Sequence, residues 1–178
     1  NGKPCLYYPC SEAKKVKKIK FYFASSEDQK ILNYSNKYGY EVIKRPKKFS
    51  KRNSLHVDVI KHAIKYINKK NIKPEIVVIL LANAPIVYSK WINDCLNILI
   101  KNKNASAVVP VLKNNDHHPI RAKQIKNGFL KSHFKIDSSI STNRQDLNNN
   151  YFICHNFWVI RTKNIFKNNG QPPWKFLG

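Results

Sequence analysis

The sequence has no methionine, no long apolar run and no pair of cysteines at the CxxC spacing. A membrane helix needs about 20 successive apolar residues, and the first residues carry no secretory signal pattern, so we expect a cytoplasmic protein without a membrane partner. Four scattered cysteines (Cys5, Cys10, Cys95 and Cys154) are interpreted as buried thiols rather than zinc ligands or disulfides. Because methionine is missing, we expect this sequence to be part of a longer protein.

Negative charge is also scarce, because 33 Lys and Arg stand against 10 Asp and Glu and give a formal charge of +23. Such an excess is typical of proteins that bind nucleic acids or anionic membranes. Here the cations are mostly lysines that extend from Lys3 to Lys175 without forming one stripe. We therefore do not expect nucleic acid as the partner, although a diffuse positive field would attract a small polyanion such as a nucleoside triphosphate.

Apolar runs alternate with helical patterns, which predicts an α/β fold with a mainly parallel central sheet flanked by helices. The predicted strands are residues 19–24, 40–43, 76–82, 105–112 and 151–160. The run 76–82 does not alternate with polar residues, which favours a central strand that is covered on both faces. Pro110 predicts an edge or a bend in its strand.

Three helices are predicted between these strands. The first has capping-box spacing at Ser26 and Gln29 and ends at Gly39. The second spans residues 55–70, where apolar residues recur at helical spacing, and the third carries the stripe Ile92, Leu96 and Leu99. Trp91 and Trp158 are expected in the core.

Residues 114–150 are polar and depart from the alternating pattern, with a hairpin predicted at Asn127-Gly128. We therefore expect an α/β domain formed by residues 1–113 and 151–178, and a separate excursion formed by residues 114–150. In open α/β sheets, ligands bind beyond the carboxyl ends of the strands. Ser26, Arg45, Asn53 and Ser54 follow predicted strand ends or precede a helix, and are suited to bind a nucleotide.

Several segments occur in an order and spacing that resemble the acylneuraminate cytidylyltransferase family. They are GKPCLYYPCSEAKK, FASSEDQKI, YGYEVIKRPKKFS, VILLANAPIV, ASAVVPV, HHPIRAKQIKNGFL and NRQDLNNNYF. The resemblance implies a Rossmann-like nucleotidyltransferase fold, a homodimer, and transfer of CMP from CTP to a nine-carbon, sialic-acid-like sugar acid with release of pyrophosphate. It also implies Mg²⁺ as a cofactor and a nucleotide-binding role for the α/β domain.

The resemblance also implies roles for individual residues. Arg45 and Ser54, with Asn53 beside them, resemble cytidine-binding positions, and the excursion 114–150 resembles a dimer contact on the sugar side. Arg121 and Arg144 resemble contacts to the sugar carboxylate, which suits a bidentate guanidinium. Asn83 lies in the loop that usually touches the substrate, and His155 is a further candidate sugar contact.

The sequence departs from the family pattern in four places. It begins at GKP without the preceding triphosphate loop, and the acidic pair that helps to hold Mg²⁺ would lie beyond Gly178. No metal ligand and no catalytic residue is therefore assigned. The usual Gln-Pro-Thr-Ser-Pro loop is replaced by residues 81–85, and the usual Asn-Gly-Ala by residues 154–156. These changes indicate a divergent branch and leave the sugar open.

Two other functions stay open at this point. One keeps the fold and changes the acceptor, either to the eight-carbon acid Kdo or to a sugar 1-phosphate. The other is a noncatalytic module that binds a nucleotide or a nucleic acid.

Overall fold

The computed structural model describes residues 2–136, 141, 143–167 and 169–178, with Arg144 described by its backbone only. The helices are α1 Tyr7–Lys14, α2 Gln29–Lys37, α3 His56–Lys69, α4 Ser89–Lys101 and α5 Thr162–Lys167. The strands are β1 Phe23–Ser26, β2 Glu41–Lys44, β3 Ile76–Leu80, β4 Ala107–Val108, β5 Val111–Lys113, β6 Lys123–Lys126, β7 Phe129–Ser132, β8 Tyr151–Ile153 and β9 Phe157–Arg161. Short 3₁₀ turns occur at Lys47–Phe49, Pro119–Arg121, Arg144–Asp146 and Lys175–Leu177.

The chain divides into two compact units. Unit 1 comprises Asn1–Pro110 and His155–Gly178, and unit 2 comprises Val111–Cys154. None of the described helices is long and apolar enough to cross a membrane.

The predicted mixed α/β class is confirmed, but the prediction of a mainly parallel central sheet is wrong. Strands β1 and β2 pair in parallel, with Phe23 opposite Glu41, and α2 connects them. The other sheet of unit 1 has the order β3-β9-β4, and β9 runs antiparallel to both of its neighbours. A late strand of opposite direction therefore occupies the middle of this sheet.

Strand β3 differs from its prediction as a covered central strand. Its five side chains are all only partly buried, whereas the five residues of β9 are all buried. Among the described strands, β3 pairs with β9 alone and so lies at the edge of its sheet. An aliphatic run indicates an apolar environment, but it does not say which strand lies in the middle.

The first predicted helix is confirmed, but its capping box is wrong. Helix α2 is capped by Asp28, whose Oδ1 accepts the backbone N–H groups of Lys30 at 2.6 Å and Ile31 at 3.1 Å. The hydroxyl of Ser26 instead accepts the N–H of Asp28 at 3.1 Å. The helix ends as predicted before Gly39, which has a φ of +73°.

Two predicted strands are each divided by a break. Residues 105–112 separate at Pro110 into β4 and β5, and residues 151–160 separate at 154–156 into β8 and β9. The bend at Pro110 is thus confirmed, because proline lacks the N–H that would continue the ladder. In each case the two halves belong to different units.

The core of unit 1 lies between α4 and β9. Helix α4 buries the predicted stripe together with Cys95, and β9 contributes Phe157 and Val159. Trp158 is 1% exposed and is confirmed as a core residue, whereas Trp91 is 39% exposed. Cys95 is the only buried thiol of the four, which are all free, so the general expectation of buried thiols is wrong.

Unit 2 contains two antiparallel strand pairs, β5 with β8 and β6 with β7. The hairpin predicted at Asn127-Gly128 is confirmed, and both residues have positive φ values, 52° and 78°. Paired positive φ values are typical of the tight turns that join antiparallel strands.

A buried guanidinium joins three parts of unit 1. Arg161, which is 7% exposed, ends β9 and donates hydrogen bonds to the carbonyl oxygens of Leu99 at 2.7 Å, Asn102 at 3.3 Å and Ala105 at 3.0 Å. Its Nη1 also lies 2.8 Å from Oε1 of Glu75, next to the start of β3. Arg161 therefore caps the carboxyl end of α4, where a positive charge also opposes the helix dipole.

We expect Arg161→Leu to lower the free energy of unfolding by about 1 to 3 kcal/mol, because the buried carbonyl of Leu99 loses its donor. Urea denaturation followed by circular dichroism measures the change. Arg52→Leu is the matched control, since Arg52 is exposed and should cost no more than about 0.5 kcal/mol. Equal midpoints for the two variants would contradict the role given to Arg161.

Candidate functional site

Arg45 is fixed at the carboxyl ends of the parallel pair β1 and β2. Its backbone N–H donates to the carbonyl oxygen of Ser26 at 2.9 Å. In its side chain, Nη2 donates to the carbonyl oxygen of Ser25 at 2.5 Å, and Nε donates to the hydroxyl of Ser25 at 3.4 Å. Nη1 lies 3.5 Å from the carboxylate of Glu27. The guanidinium is thus positioned by β1 and is not a freely solvated side chain.

Ser54 and Asn53 belong to the loop between β2 and α3. The Ser54 hydroxyl accepts the N–H of Lys51 at 2.9 Å and donates to the carbonyl oxygen of Lys48 at 3.4 Å, so it folds the loop on itself. Asn53 is exposed in the turn just before it. The structure therefore gives Ser54 a local structural role and leaves the amide of Asn53 accessible.

A ring contact anchors this loop to α3. The Phe49 ring centroid lies 5.4 Å from that of His62, which is on α3. Nδ1 of His62 is buried and has no hydrogen-bond partner in the part of the chain that the structure describes. Burial lowers the pKa of His62, and the charges of Arg45 and Lys48 lower it further. His62 is therefore held in its neutral form beneath a cationic loop.

An aromatic cluster joins the start of α3 to β9. The indole of Trp158 makes T-shaped contacts with two imidazoles, those of His56 and His155, and each ring centroid lies 5.8 Å from that of the indole. Trp174 lies 4.6 Å from His155. Nε1 of Trp158 is buried without a hydrogen-bond partner among the described residues. His56 follows Ser54 by two residues, so the loop predicted to bind nucleotide and the predicted sugar contact His155 meet at one tryptophan.

Asn83 lies in the turn that follows β3, and this turn is tied to the residues that precede β9. The N–H of Leu81 donates to the carbonyl oxygen of Asn156 at 3.1 Å, and the Asn156 side chain donates to the carbonyl oxygen of Ile86 at 3.1 Å. Asn83 and His155 are both exposed on either side of this connection. The structure thus brings these two predicted sugar contacts to the same end of the β3 and β9 pair.

The other two predicted sugar contacts belong to unit 2. Arg121 ends the 3₁₀ turn Pro119–Arg121 and is exposed. Arg144 begins the turn Arg144–Asp146, and its side chain lies outside the described residues. The roles of Arg121 and Arg144 therefore stay predictions.

The described residues do not by themselves form a metal site. Within them, no group of three or more His, Cys, Asp or Glu side chains is placed to hold a metal ion. Glu27, the carboxylate beside the ends of β1 and β2, is paired with Arg45.

Three residues of the site were not predicted from the sequence: His56, His62 and Trp174. His56 directly follows the Asn53 to Leu55 segment, so its position at a helix start was visible. The contacts of His56 with Trp158 and of Trp174 with His155 join segments that are distant in the chain. Local patterns carry no information on such contacts.

The fold of the chain is similar to that of a solved synthetase. A solved structure of CMP-2-keto-3-deoxy-manno-octonic acid synthetase complexed with CTP is similar to it with a TM-score of 0.65, over 97% of this chain and 68% of that chain. The two sequences are 12% identical, so the likeness concerns the fold. No protein-family model and no curated protein matches the sequence.

The lowered pKa of His62 leads to a prediction for the pH dependence of stability. As the pH falls below the ordinary pKa of 6.5, the unfolded chain takes up a proton before the folded chain does. The free energy of unfolding should therefore decrease below that pH, and His62→Phe should remove this part of the decrease while keeping a ring against Phe49. Urea midpoints measured from about pH 8 to about pH 5.5 give the comparison.

His133→Phe is the control, because His133 is an exposed histidine of unit 2. It should retain the pH dependence of the natural protein. If His62→Phe retains it as well, His62 is not responsible for it.

Proposed function

We propose that this protein is a cytidylyltransferase that transfers CMP from CTP to a sugar acid and releases pyrophosphate. The observation that supports this most is the fold shared, over 97% of the chain, with a synthetase that was solved with CTP. The sequence resemblance favours a nine-carbon, sialic-acid-like acceptor. The eight-carbon acid in the name of the similar structure fits equally, and both acids carry a carboxylate.

The nucleotide side of the proposal relies on the loop around Arg45. Five further cations lie exposed in and beside this loop: Lys44, Lys47, Lys48, Lys51 and Arg52. A cluster of positive charges attracts a triphosphate and lowers the cost of bringing it to the surface. The guanidinium of Arg45, already oriented by Ser25, is suited to donate hydrogen bonds to the nucleotide. Asn53 adds an accessible amide in the same loop.

The reaction is an in-line displacement at the α-phosphorus of CTP. The hydroxyl oxygen of the sugar forms the new bond to phosphorus, the bond to the bridging oxygen breaks, and pyrophosphate leaves as the hydroxyl proton is released. The transition state carries its charge on phosphate oxygens, so positioning and positive charge supply most of the catalysis. Mg²⁺, which the family resemblance implies, would neutralise part of that charge when bound.

The sugar contacts that the resemblance suggests are Asn83 and His155, which belong to unit 1, and Arg121 and Arg144, which belong to unit 2. Guanidinium groups bind a carboxylate with two parallel hydrogen bonds, which suits an acidic sugar. The homodimer is part of the same proposal. In unit 2 the apolar side chains of Ile125 and Leu130, which lie opposite each other in the β6 and β7 pair, are 77% and 71% exposed, and exposed apolar surface is typical of protein contacts.

The proposal predicts that the natural full-length protein releases pyrophosphate from CTP in the presence of Mg²⁺ and a sugar acid. The assay compares N-acetylneuraminate, 2-keto-3-deoxy-manno-octonic acid and glucose 1-phosphate as acceptors, and CTP with UTP as donors. We expect turnover with CTP and at least one of the two acids, and none with the sugar phosphate. Absence of turnover with either acid would refute the proposal.

Arg45→Lys tests the nucleotide side in the same assay. Lysine keeps the charge but loses the forked donors, so the KM for CTP should rise about tenfold or more. Arg52→Lys is the matched control in the same loop, because Arg52 is exposed, and its KM should stay within about twofold. Equal KM values for the two variants would remove Arg45 from the nucleotide site.

A further inference from the structure

The turn between β3 and α4, residues 81–88, carries Asn83 and is mostly exposed. The structure describes this whole turn, and within it Val87 alone is buried, at 2% exposure, as part of the core of unit 1. A hydrogen bond from the N–H of Ala84 to the carbonyl oxygen of Leu81, at 3.0 Å, shapes the turn from inside but does not tie it to another segment. The position of Asn83 therefore depends on the hydrogen bonds that other segments make with this turn.

Asn156, which lies just before β9, binds the turn on both sides of Asn83. Its carbonyl oxygen accepts the N–H of Leu81 at 3.1 Å, and its Nδ2 donates to the carbonyl oxygen of Ile86 at 3.1 Å. Its Oδ1 accepts the N–H of Phe157 at 3.1 Å, and Phe157 is 0% exposed in β9. One carboxamide thus fastens the turn to a fully buried residue of the strand.

The two partners of this side chain require an amide at position 156. A carbonyl oxygen can only accept a hydrogen bond, and a backbone N–H can only donate one. A side chain that bonds to both must combine a donor with an acceptor, as asparagine does and as ionised aspartate and alanine do not. Because its oxygen and one of its N–H groups are used within the protein, Asn156 affects a substrate through the residues that it holds.

The far end of the turn has a separate anchor. Glu12 of α1 accepts the N–H of Ser89, the first residue of α4, through Oε2 at 2.7 Å. The N-cap residue Tyr88 is not of a type that caps helices, so Glu12 supplies a cap from another helix, where its negative charge is also favourable. Loss of the Asn156 carboxamide should therefore release the part of the turn that carries Asn83 and leave α4 in place.

We propose that Asn156 is a positioning residue for the acceptor, because its carboxamide fixes where Asn83 lies relative to His155. His155 directly precedes Asn156, and both predicted sugar contacts are exposed beside the connection that Asn156 makes. The role for the acceptor rests on the proposed function, whereas the role in holding the turn rests on the hydrogen bonds alone. Arg45 is held by Ser25 and not by this connection, so CTP should be unaffected.

Hydrogen exchange followed by NMR tests the role in the turn without any substrate. Asn156→Asp keeps an acceptor for the N–H of Phe157, but it loses the donor to Ile86 and places a carboxylate against that carbonyl oxygen. The N–H groups of Leu81 and Ala84 should then exchange about fivefold faster or more, whereas those of β9 and α4 should keep their rates.

Steady-state kinetics of the natural full-length protein and of the same variant test the role for the acceptor. Asn156→Asp should raise the KM for the sugar acid about tenfold and keep the KM for CTP within about twofold. A loss of stability alone would reduce the amount of active protein and so the apparent kcat, without a selective change in one KM.

Asn104→Asp is the matched control, since it makes the same change at an exposed position between α4 and β4. It should leave the exchange rates of the turn and both KM values within about twofold. If Asn156→Asp does not fold, as judged by circular dichroism, Asn156→Ala takes its place, because it removes the donor without adding a charge.

Unchanged exchange in the turn overturns the proposal, and so does faster exchange with an unchanged KM for the acid or with an equal rise in the KM for CTP. Failure of the proposed function has a different signature. In that case the turn exchanges faster in the variant, but the natural protein releases no pyrophosphate with either acid. The role for the acceptor then falls with the proposed function, and the role of Asn156 in holding the turn is retained.

Discussion

The buried guanidinium of Arg161 is the interaction on which the arrangement of unit 1 depends. It offers donors at fixed directions to the last carbonyls of α4 and to the chain just beyond it, and it reaches Glu75 beside β3. Because these acceptors belong to three segments, the guanidinium can satisfy them only when β9 ends at one position between β3 and β4. A slip of one residue would also turn every side chain of β9 to the opposite face.

The register of β9 also determines which side chains lie near its amino end. With Phe157 and Val159 packed on α4, the alternation of the strand turns Trp158 to the opposite face, where the rings of His56 and Phe176 meet it. His155 then precedes the strand next to the turn that carries Asn83. The aromatic part of the candidate site is therefore positioned by an ion pair and a helix cap at the far end of the same strand.

Local patterns predicted what depends on neighbours in the chain. Spacing and turn chemistry predicted helix α3, the hairpin at Asn127-Gly128 and the bend at Pro110. The position of Arg45 at the end of β2 was predicted from its place after an apolar run. The direction of β9 could not be predicted in this way, because an apolar run looks the same in a parallel and in an antiparallel sheet. The prediction that Trp91 lies in the core was wrong. Trp91 directly precedes Ile92, but successive residues of a helix are rotated by about 100°, so its side chain lies outside the buried stripe.

The two units differ in the polar groups that they offer to a ligand. The loop around Arg45 in unit 1 concentrates cations, which lowers the electrostatic cost of binding a triphosphate. In unit 2, a surface pocket is lined by Asn114, Asn115, Gln145 and Asn149, whose carboxamide groups both donate and accept hydrogen bonds. A reaction between a nucleotide and a sugar acid needs both kinds of recognition.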